Sequence, residues 1–281
     1  MAIILSGKEI SDRLTAEQKE RVKELKAQGI QPGLAVVLVG EDPASQIYVR
    51  NKGIACETIG IYSETIRLPG DTTQGQLEDT IQKLNKDNKI SGILVQLPLP
   101  KHLNEDAALA CILPEKDVDG FHLINAGRLF SGQESVIPCT PKGILYMLKE
   151  AGISLAGKEA VIVGRSNIVG KPAAMLLMRE HCTVTVCHSR TKDLAEHTRR
   201  ADILVAAIGK PRFITADMVK PGAAVMDVGI NRVEGKVVGD VDFEPVSRVA
   251  GFITPVPGGI GKMTISMLME NTLEAACRQG R

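Results

Sequence analysis

A short apolar run, Ala160-Val161-Ile162-Val163, ends at Gly164, and a second glycine, Gly170, follows six residues later. Pro172 then opens Ala173-Ala174-Met175-Leu176-Leu177-Met178, a run suited to a helix. Buried strand, glycine turn and helix start, in that order, form the unit that binds a phosphate. Glycines let the backbone approach closely, and N–H groups at the helix N-terminus point at the anion. A proline in the first helical turn fits, because its missing N–H would have gone unpaired there. The spacing is not G-x-G-x-x-G, so on these residues alone a glycine-rich βα turn with no ligand stays open.

The pattern around this stretch repeats. Downstream, strands at 183–187, 203–207, 223–228 and 251–254 alternate with helical segments at 170–181 and 192–200, with a hairpin arm at 235–239 and a long helix over 264–277. Upstream, strands at 34–39, 61–68 and 90–97 alternate with helices over 8–27, 43–59, 72–88 and 104–112. Such alternation predicts parallel sheets buried on both faces. Residues 114–141 read as loop, and Thr140 as the N-cap of a helix to about Ala151 that connects two domains. The length, 281 residues, fits about two domains. The fold class is therefore α/β and two-lobed: an N-terminal α/β domain over 1–140, onto which the last helix packs back, and a doubly wound Rossmann-type domain over 141–261. In such pairs the ligand cleft lies between the domains, outside the carboxyl ends of the strands.

Charge and composition exclude some partners. A formal net charge of +1 argues against nucleic-acid binding through a basic face, and 3% aromatics with no tryptophan argues against single-strand stacking. The start, MAIILSGKEISDRL, is neither a secretory signal nor a transit peptide, and no run approaches a membrane span. The six cysteines form no C-x-x-C pair and no zinc spacing, so we expect no metal and read them as reduced, in a cytoplasmic protein.

Five stretches carry chemistry. Cys187-His188-Ser189-Arg190-Thr191 ends the second strand of the nucleotide domain without the acid that NAD-selective folds place there. A hydroxyl and a guanidinium instead suit a 2′-phosphate, and Arg165 adds a second cation, so NADP is expected over NAD. Tyr48 and Lys52 lie one turn apart on the helix over 43–59, just after a strand's carboxyl end. An amine in a partly dry pocket exchanges protons more readily than one in water. Gln96 closes an apolar strand with an amide that both donates and accepts. In Asp117-Val118-Asp119-Gly120-Phe121 two acids share a loop, a pattern open to a metal or, better, to an organic ligand with adjacent N–H donors. Finally, Pro255-Val256-Pro257-Gly258-Gly259-Ile260-Gly261 makes a rigid loop before a helix, able to read a flat ring with its backbone. Each alone has a bland reading: a solvated lysine, a capped strand end, an Asx turn.

Together the segments resemble one family, the bifunctional methylenetetrahydrofolate dehydrogenase/methenyltetrahydrofolate cyclohydrolases. The matching segments are YVRNK at 48–52, VQLPLP at 95–100, PEKDVDGFH at 114–122, NAGRL at 125–129, PCTPKG at 138–143, GRSNIVGKP at 164–172, CHSRT at 187–191 and TPVPGGIGKMT at 254–264. The resemblance implies Lys52 as the central catalytic lysine, with Tyr48 against the folate ring, Gln96 bonded to Lys52 or to the attacking water, and Asp119 on the pterin N–H groups. It implies substrate contacts at Val95, Leu97, Pro257, Gly258 and Gly259. It implies NADP held by Gly164, Arg165, Ser166, Ile168, Gly170 and Ile230, with Ser189 and Arg190 on the 2′-phosphate, and a homodimer formed through the NADP domain. One departure from the family pattern is Lys262, where Gly-Pro-Met-Thr is usual; the expectation is a lost proline at the helix start. The competing expectations are a dehydrogenase of another small molecule, such as a shikimate-type hydroxy acid, a non-catalytic nucleotide sensor, or only one of the two activities.

Overall fold

A computed structural model describes residues 1–280. In chain order the elements are β1 (Ile3–Ile4), α1 (Gly7–Ala27), β2 (Gly33–Val39), α2 (Pro43–Ile59), β3 (Tyr62–Leu68), α3 (Gln74–Lys86), β4 (Gly92–Val95), α4 (Glu105–Ala110) and α5 (Leu123–Phe130). They continue with α6 (Cys139–Glu150), β5 (Glu159–Val163), α7 (Gly170–Arg179), β6 (Thr183–Cys187), α8 (Leu194–Thr198), β7 (Ile203–Ala206) and β8 (Ala224–Asp227). A hairpin of β9 (Asn231–Val233) and β10 (Lys236–Val238) follows, then α9 (Phe243–Ser247), β11 (Phe252–Ile253) and α10 (Ile260–Gln279). The chain divides into two compact units. The first joins Met1–Asp12 to Thr140–Thr264; the second joins Arg13–Cys139 to the segment from Ile265 on.

The second unit is built on a three-stranded parallel sheet in the order β3-β2-β4. Every residue of β2, GLAVVLV, is buried, which is why it reads as a continuous apolar run rather than an alternating one. Val37, Ile81, Ile93 and Ala108 lie in its core. Within the same unit α10 lies along α1: Gln18 Nε2 donates to Ser266 O at 2.9 Å, and Arg21 pairs with Glu270. β4 is shorter than its apolar run, because Pro98 and Pro100 cannot donate to a ladder.

The first unit holds a six-stranded parallel sheet, β1-β11-β8-β7-β5-β6. Its edge at β1 is made by residues 3–4, which pair with 252–253. Val161, Ala206, Val225 and Ile253 lie in the core of this unit.

Three local expectations need correction. The stretch 114–141 is not all loop, because α5 forms within it. Gly127 and the exposed Leu123 and Phe130 hide the helix from a periodicity argument. Thr140 is not an N-cap: α6 already begins at Cys139, and the Thr140 hydroxyl shares a 2.9 Å hydrogen bond with that of Thr264. α10 starts at Ile260, so Lys262 is its third residue rather than its first, and its N–H bonds to Gly259 O at 3.1 Å. A proline there would give up that bond.

Candidate active site

The helix that carries Tyr48 and Lys52 is fixed where it starts. Asp42 Oδ2 accepts the Ser45 N–H at 2.7 Å, and Pro43 occupies the first helical turn. That bond from Ser45 holds the Asp42 carboxyl below the usual carboxylate range. α2 then presents Tyr48, 41% exposed, one turn before the half-buried Lys52. Lys52 Nζ donates to Gln96 Oε1 at 3.0 Å. The other end of that amide donates to Leu97 O at 2.7 Å, so the oxygen is committed to the lysine. The Gln96 backbone N–H still bonds to Val37 O at 2.9 Å, which ties the amide to the sheet. Val95 is buried and Leu97 half-buried on either side.

The two acids of the DVDG loop part company. Asp117, 1% exposed, accepts from the N–H groups of Gly120, Phe121 and His122 and from Asn125 Nδ2, at 2.9–3.2 Å. Four donors saturate the carboxylate, so Asp117 shapes the loop rather than binding a ligand. Asp119 has the Cys139 thiol 3.8 Å from Oδ1. Burial pushes its carboxyl up to about 6; the Lys52 charge and the Cys139 thiol act downward, and Asp117 upward. A carboxylate with few donors, close to a lysine held by a glutamine, is a group equipped to meet N–H donors from a ligand.

In the first unit, the loop after β5 is tightly closed on itself. A Cβ on Gly164 would lie 2.1 Å from Ala207 O, and one on Gly170 would lie 2.2 Å from Gly164 O, so only glycine fits at either position. Ser166 Oγ accepts the N–H groups of Val169 and Gly170, at 3.1 and 3.3 Å, and Ser166 O accepts that of Lys171 at 3.0 Å. The first-turn N–H groups that sequence reasoning leaves for an anion are thus largely taken by Ser166. The exposed Arg165 and Ile168 stand on the outside of this loop. β6 ends in register with β5, Cys187 opposite Val163. There His188 N–H bonds to Thr191 Oγ1 at 2.8 Å, a turn that leaves Ser189 and Arg190 exposed at its tip.

The sequence gave no sign of a second acid pair in this unit. Asp240, fully buried, accepts the N–H groups of Ile208, Gly209 and Lys210 and the Asn231 amide, at 2.7–3.0 Å. Asp227 accepts those of Gly229, Asp240 and Val241 at 2.9–3.0 Å. Burial raises the Asp227 carboxyl to about 6, against the pull of those three bonds. Between the residues they hold stands Ile230, 54% exposed. The 255–261 loop belongs to the same unit: Lys8 N–H donates to Gly258 O at 3.0 Å, and Gly258 has φ +104°. Its residues Pro257, Gly258 and Gly259 thus lie in the first unit, and Tyr48, Lys52, Val95, Gln96, Leu97 and Asp119 in the second.

Comparison with known proteins settles the relationship. Residues 5–119 match the tetrahydrofolate dehydrogenase/cyclohydrolase catalytic domain, and residues 138–280 match the NAD(P)-binding domain of the same family. The chain belongs to the tetrahydrofolate dehydrogenase/cyclohydrolase family. It is 62% identical over 278 residues to the bifunctional protein FolD of Moorella thermoacetica, covering 99% of each chain. The solved FolD methylenetetrahydrofolate dehydrogenase/cyclohydrolase of Campylobacter jejuni superposes with a TM-score of 0.98 at 51% identity, over 99% of each chain. The Trypanosoma brucei dehydrogenase-cyclohydrolase, solved with NADP cofactor and inhibitor, has a TM-score of 0.95 at 38% identity, over 100% of this chain and 99% of the other. For this tetrahydrofolate dehydrogenase/cyclohydrolase the loop after β5 fits a dinucleotide. Glycines at 164 and 170 let the turn close tightly at the end of β5, and exposed cations, Arg165 and Arg190, follow both β5 and β6.

Proposed function

We propose that Lys52, with Tyr48, Gln96 and Asp119, serves both reactions of the family. These are the NADP-dependent oxidation of 5,10-methylenetetrahydrofolate to 5,10-methenyltetrahydrofolate, and the hydrolysis of that cation to 10-formyltetrahydrofolate. The observation that carries the reading is the 3.0 Å bond from Lys52 Nζ to Gln96 Oε1. It fixes an amine whose other hydrogens remain for substrate or water. In the first reaction the bridging carbon of the folate gives up a hydride, and bound NADP⁺ supplies the acceptor. In the second, water adds to the cationic carbon and loses one proton; the resulting hydroxyl loses the other to become the formyl oxygen as the C–N bond to the pterin ring breaks, and one proton returns to that nitrogen. The net release is one proton. Lys52 Nζ moves these protons, Gln96 fixes where Nζ lies, Tyr48 lies against the folate ring, and Asp119 accepts from the pterin N–H groups. Val95, Leu97, Pro257, Gly258 and Gly259 complete the folate contacts.

For the cofactor, Gly164, Arg165, Ser166, Ile168 and Gly170 line the phosphates, Ile230 packs on the nucleotide, and Ser189 and Arg190 read the 2′-phosphate. The first unit is then the NADP domain and the second the folate domain, with the last helix part of it. Two copies associate through the NADP domain, a reading supported by the edge strand β6, whose Val186 is 39% exposed; a monomeric mass at micromolar concentration would refute it. The six thiols suit the cytoplasm.

The deciding experiment is Lys52→Met. Cyclohydrolase activity should fall by about 10²-fold or more, the scale of a lost general acid–base, while NADP affinity stays near wild type. Wild-type hydrolysis in this variant would remove Lys52 from the mechanism. Cofactor choice is checked separately: equal kcat/KM with NAD and NADP would remove Ser189 and Arg190 as readers of the 2′-phosphate.

A further inference from the structure

The loop that carries Asp119 is held from behind by a residue far away in the chain. Asn271, fully buried on α10, donates through Nδ2 to Val118 O and to Ile137 O, both at 2.9 Å, and the same nitrogen lies 3.6 Å from Cys139 Sγ. Val118 immediately precedes Asp119. Cys139, 3% exposed, has its sulfur 3.4 Å from Val118 O and 3.8 Å from Asp119 Oδ1. The two strands of chain that Asn271 joins already touch: a Cβ on Gly120 would lie 2.7 Å from Pro138 N, and Gly120 has φ +75°. Asp117, saturated by its four donors, fixes the near side of the loop. All these residues belong to the second unit.

We propose that Asn271 is a positioning residue for Asp119, acting through Val118 O and the Cys139 thiol. The proposal rests on the reading of Asp119 as the carboxylate that binds the pterin N–H groups. The thiol lies within reach of Val118 O and of Asp119 Oδ1. Val118 O has two lone pairs, so it takes the Asn271 amide and still holds the thiol beside it, which keeps Sγ within reach of Asp119 Oδ1. Asn271 therefore does two things. It fixes the backbone on which Asp119 stands, and it holds the thiol beside the carboxylate. The titratable groups facing Asp119 are Lys52, Asp117 and Cys139. Lys52 and the thiol favour the charged form, and Asp117 opposes it. Losing the thiol's proton raises the pH at which Asp119 ionises.

Three variants of the full-length chain test this: Asn271→Ala, Cys139→Ala and Asp119→Asn. The readouts are KM and kcat for methenyltetrahydrofolate hydrolysis across pH 5–8, and NADP affinity by fluorescence titration. Asn271→Ala should raise the folate KM about 10-fold, move the acidic limb of the profile to higher pH, and change NADP affinity less than twofold. Cys139→Ala makes a smaller hole, and should move the same limb in the same direction with a smaller rise in KM. A general loosening of the fold would change NADP affinity and kcat as well, without moving the limb. If the limb stays in place in Cys139→Ala, or in a folded Asn271→Ala, the positioning role is overturned. If Asp119→Asn itself leaves folate KM and the pH profile unchanged, the reading of Asp119 fails instead.

Discussion

Asp119 in the second unit and Asp227 in the first are both lifted to about 6, and burial is the first cause of each shift. Their surroundings are otherwise opposite. Asp227 is 2% exposed and accepts three backbone N–H bonds, holding the turn after β8 to the strand that leaves the hairpin. Asp119 keeps part of its surface open and has a thiol at 3.8 Å where Asp227 has amides. A raised proton affinity therefore does not by itself tell these two acids apart; the supply of donors does. The same contrast holds between neighbours, since Asp117 takes four donors from the loop on which Asp119 stands.

The contrast can be broken most directly at Asp227. Asp227→Asn keeps one oxygen but turns an NH₂ toward an N–H, and should cost about 3 kcal/mol in urea unfolding, the scale of a damaged buried network. A loss under about 1 kcal/mol would make Asp227 a bystander. Asp119→Asn should do the reverse. Its stability should stay within about 1 kcal/mol of wild type, while kcat/KM for folate falls about 10²-fold, the scale of a lost hydrogen bond to a charged group. Unfolding it as severely as Asp227→Asn would erase the distinction.

A third, smaller effect is in pH. The folded chain holds the Asp119 proton more tightly than the unfolded chain, at about 6 against an ordinary 3.8. The folded state therefore binds more protons between those values, and its stability falls as pH rises from about 4 to about 6, then levels off. Asp119→Asn lacks this term, so its stability relative to wild type should climb across the same window; a flat difference would show that the carboxyl is not raised. In wild type, folate KM should fall as pH rises through about 6, as the carboxylate forms. The least effect is expected at Lys262→Pro. The lost N–H to Gly259 O costs about 1 kcal/mol, and proline's stiffening of the unfolded chain returns about the same. The melting temperature should hardly move.

The parts of this molecule that the sequence revealed are those whose cause is local. β2 and β5 are continuous apolar runs because both faces are covered. The Tyr48–Lys52 pair is visible because helical spacing alone puts the two on one face. Gln96 could be placed because two prolines stop the strand beside it. What stayed hidden has causes far away in the chain. β1 has two residues and exists only through its pairing with β11. Spacing cannot say which acid of Asp-Val-Asp takes the donors, since all four come from residues after the pair. Nor can it show that Ser166 closes on the helix start, or that Asn271 reaches back 153 positions to Val118.

The pairing of Ile3–Ile4 with Phe252–Ile253 has a consequence for how the chain is made. The edge strand emerges from the ribosome about 250 residues before its partner. At an elongation rate of about 20 residues per second, that strand waits roughly 12 s, unpaired, while the second unit up to Cys139 is synthesised. The first unit, although most of its sequence is contiguous, can complete its sheet only when β11 has left the exit tunnel. Until then two isoleucines lack the ladder that holds them in the folded sheet.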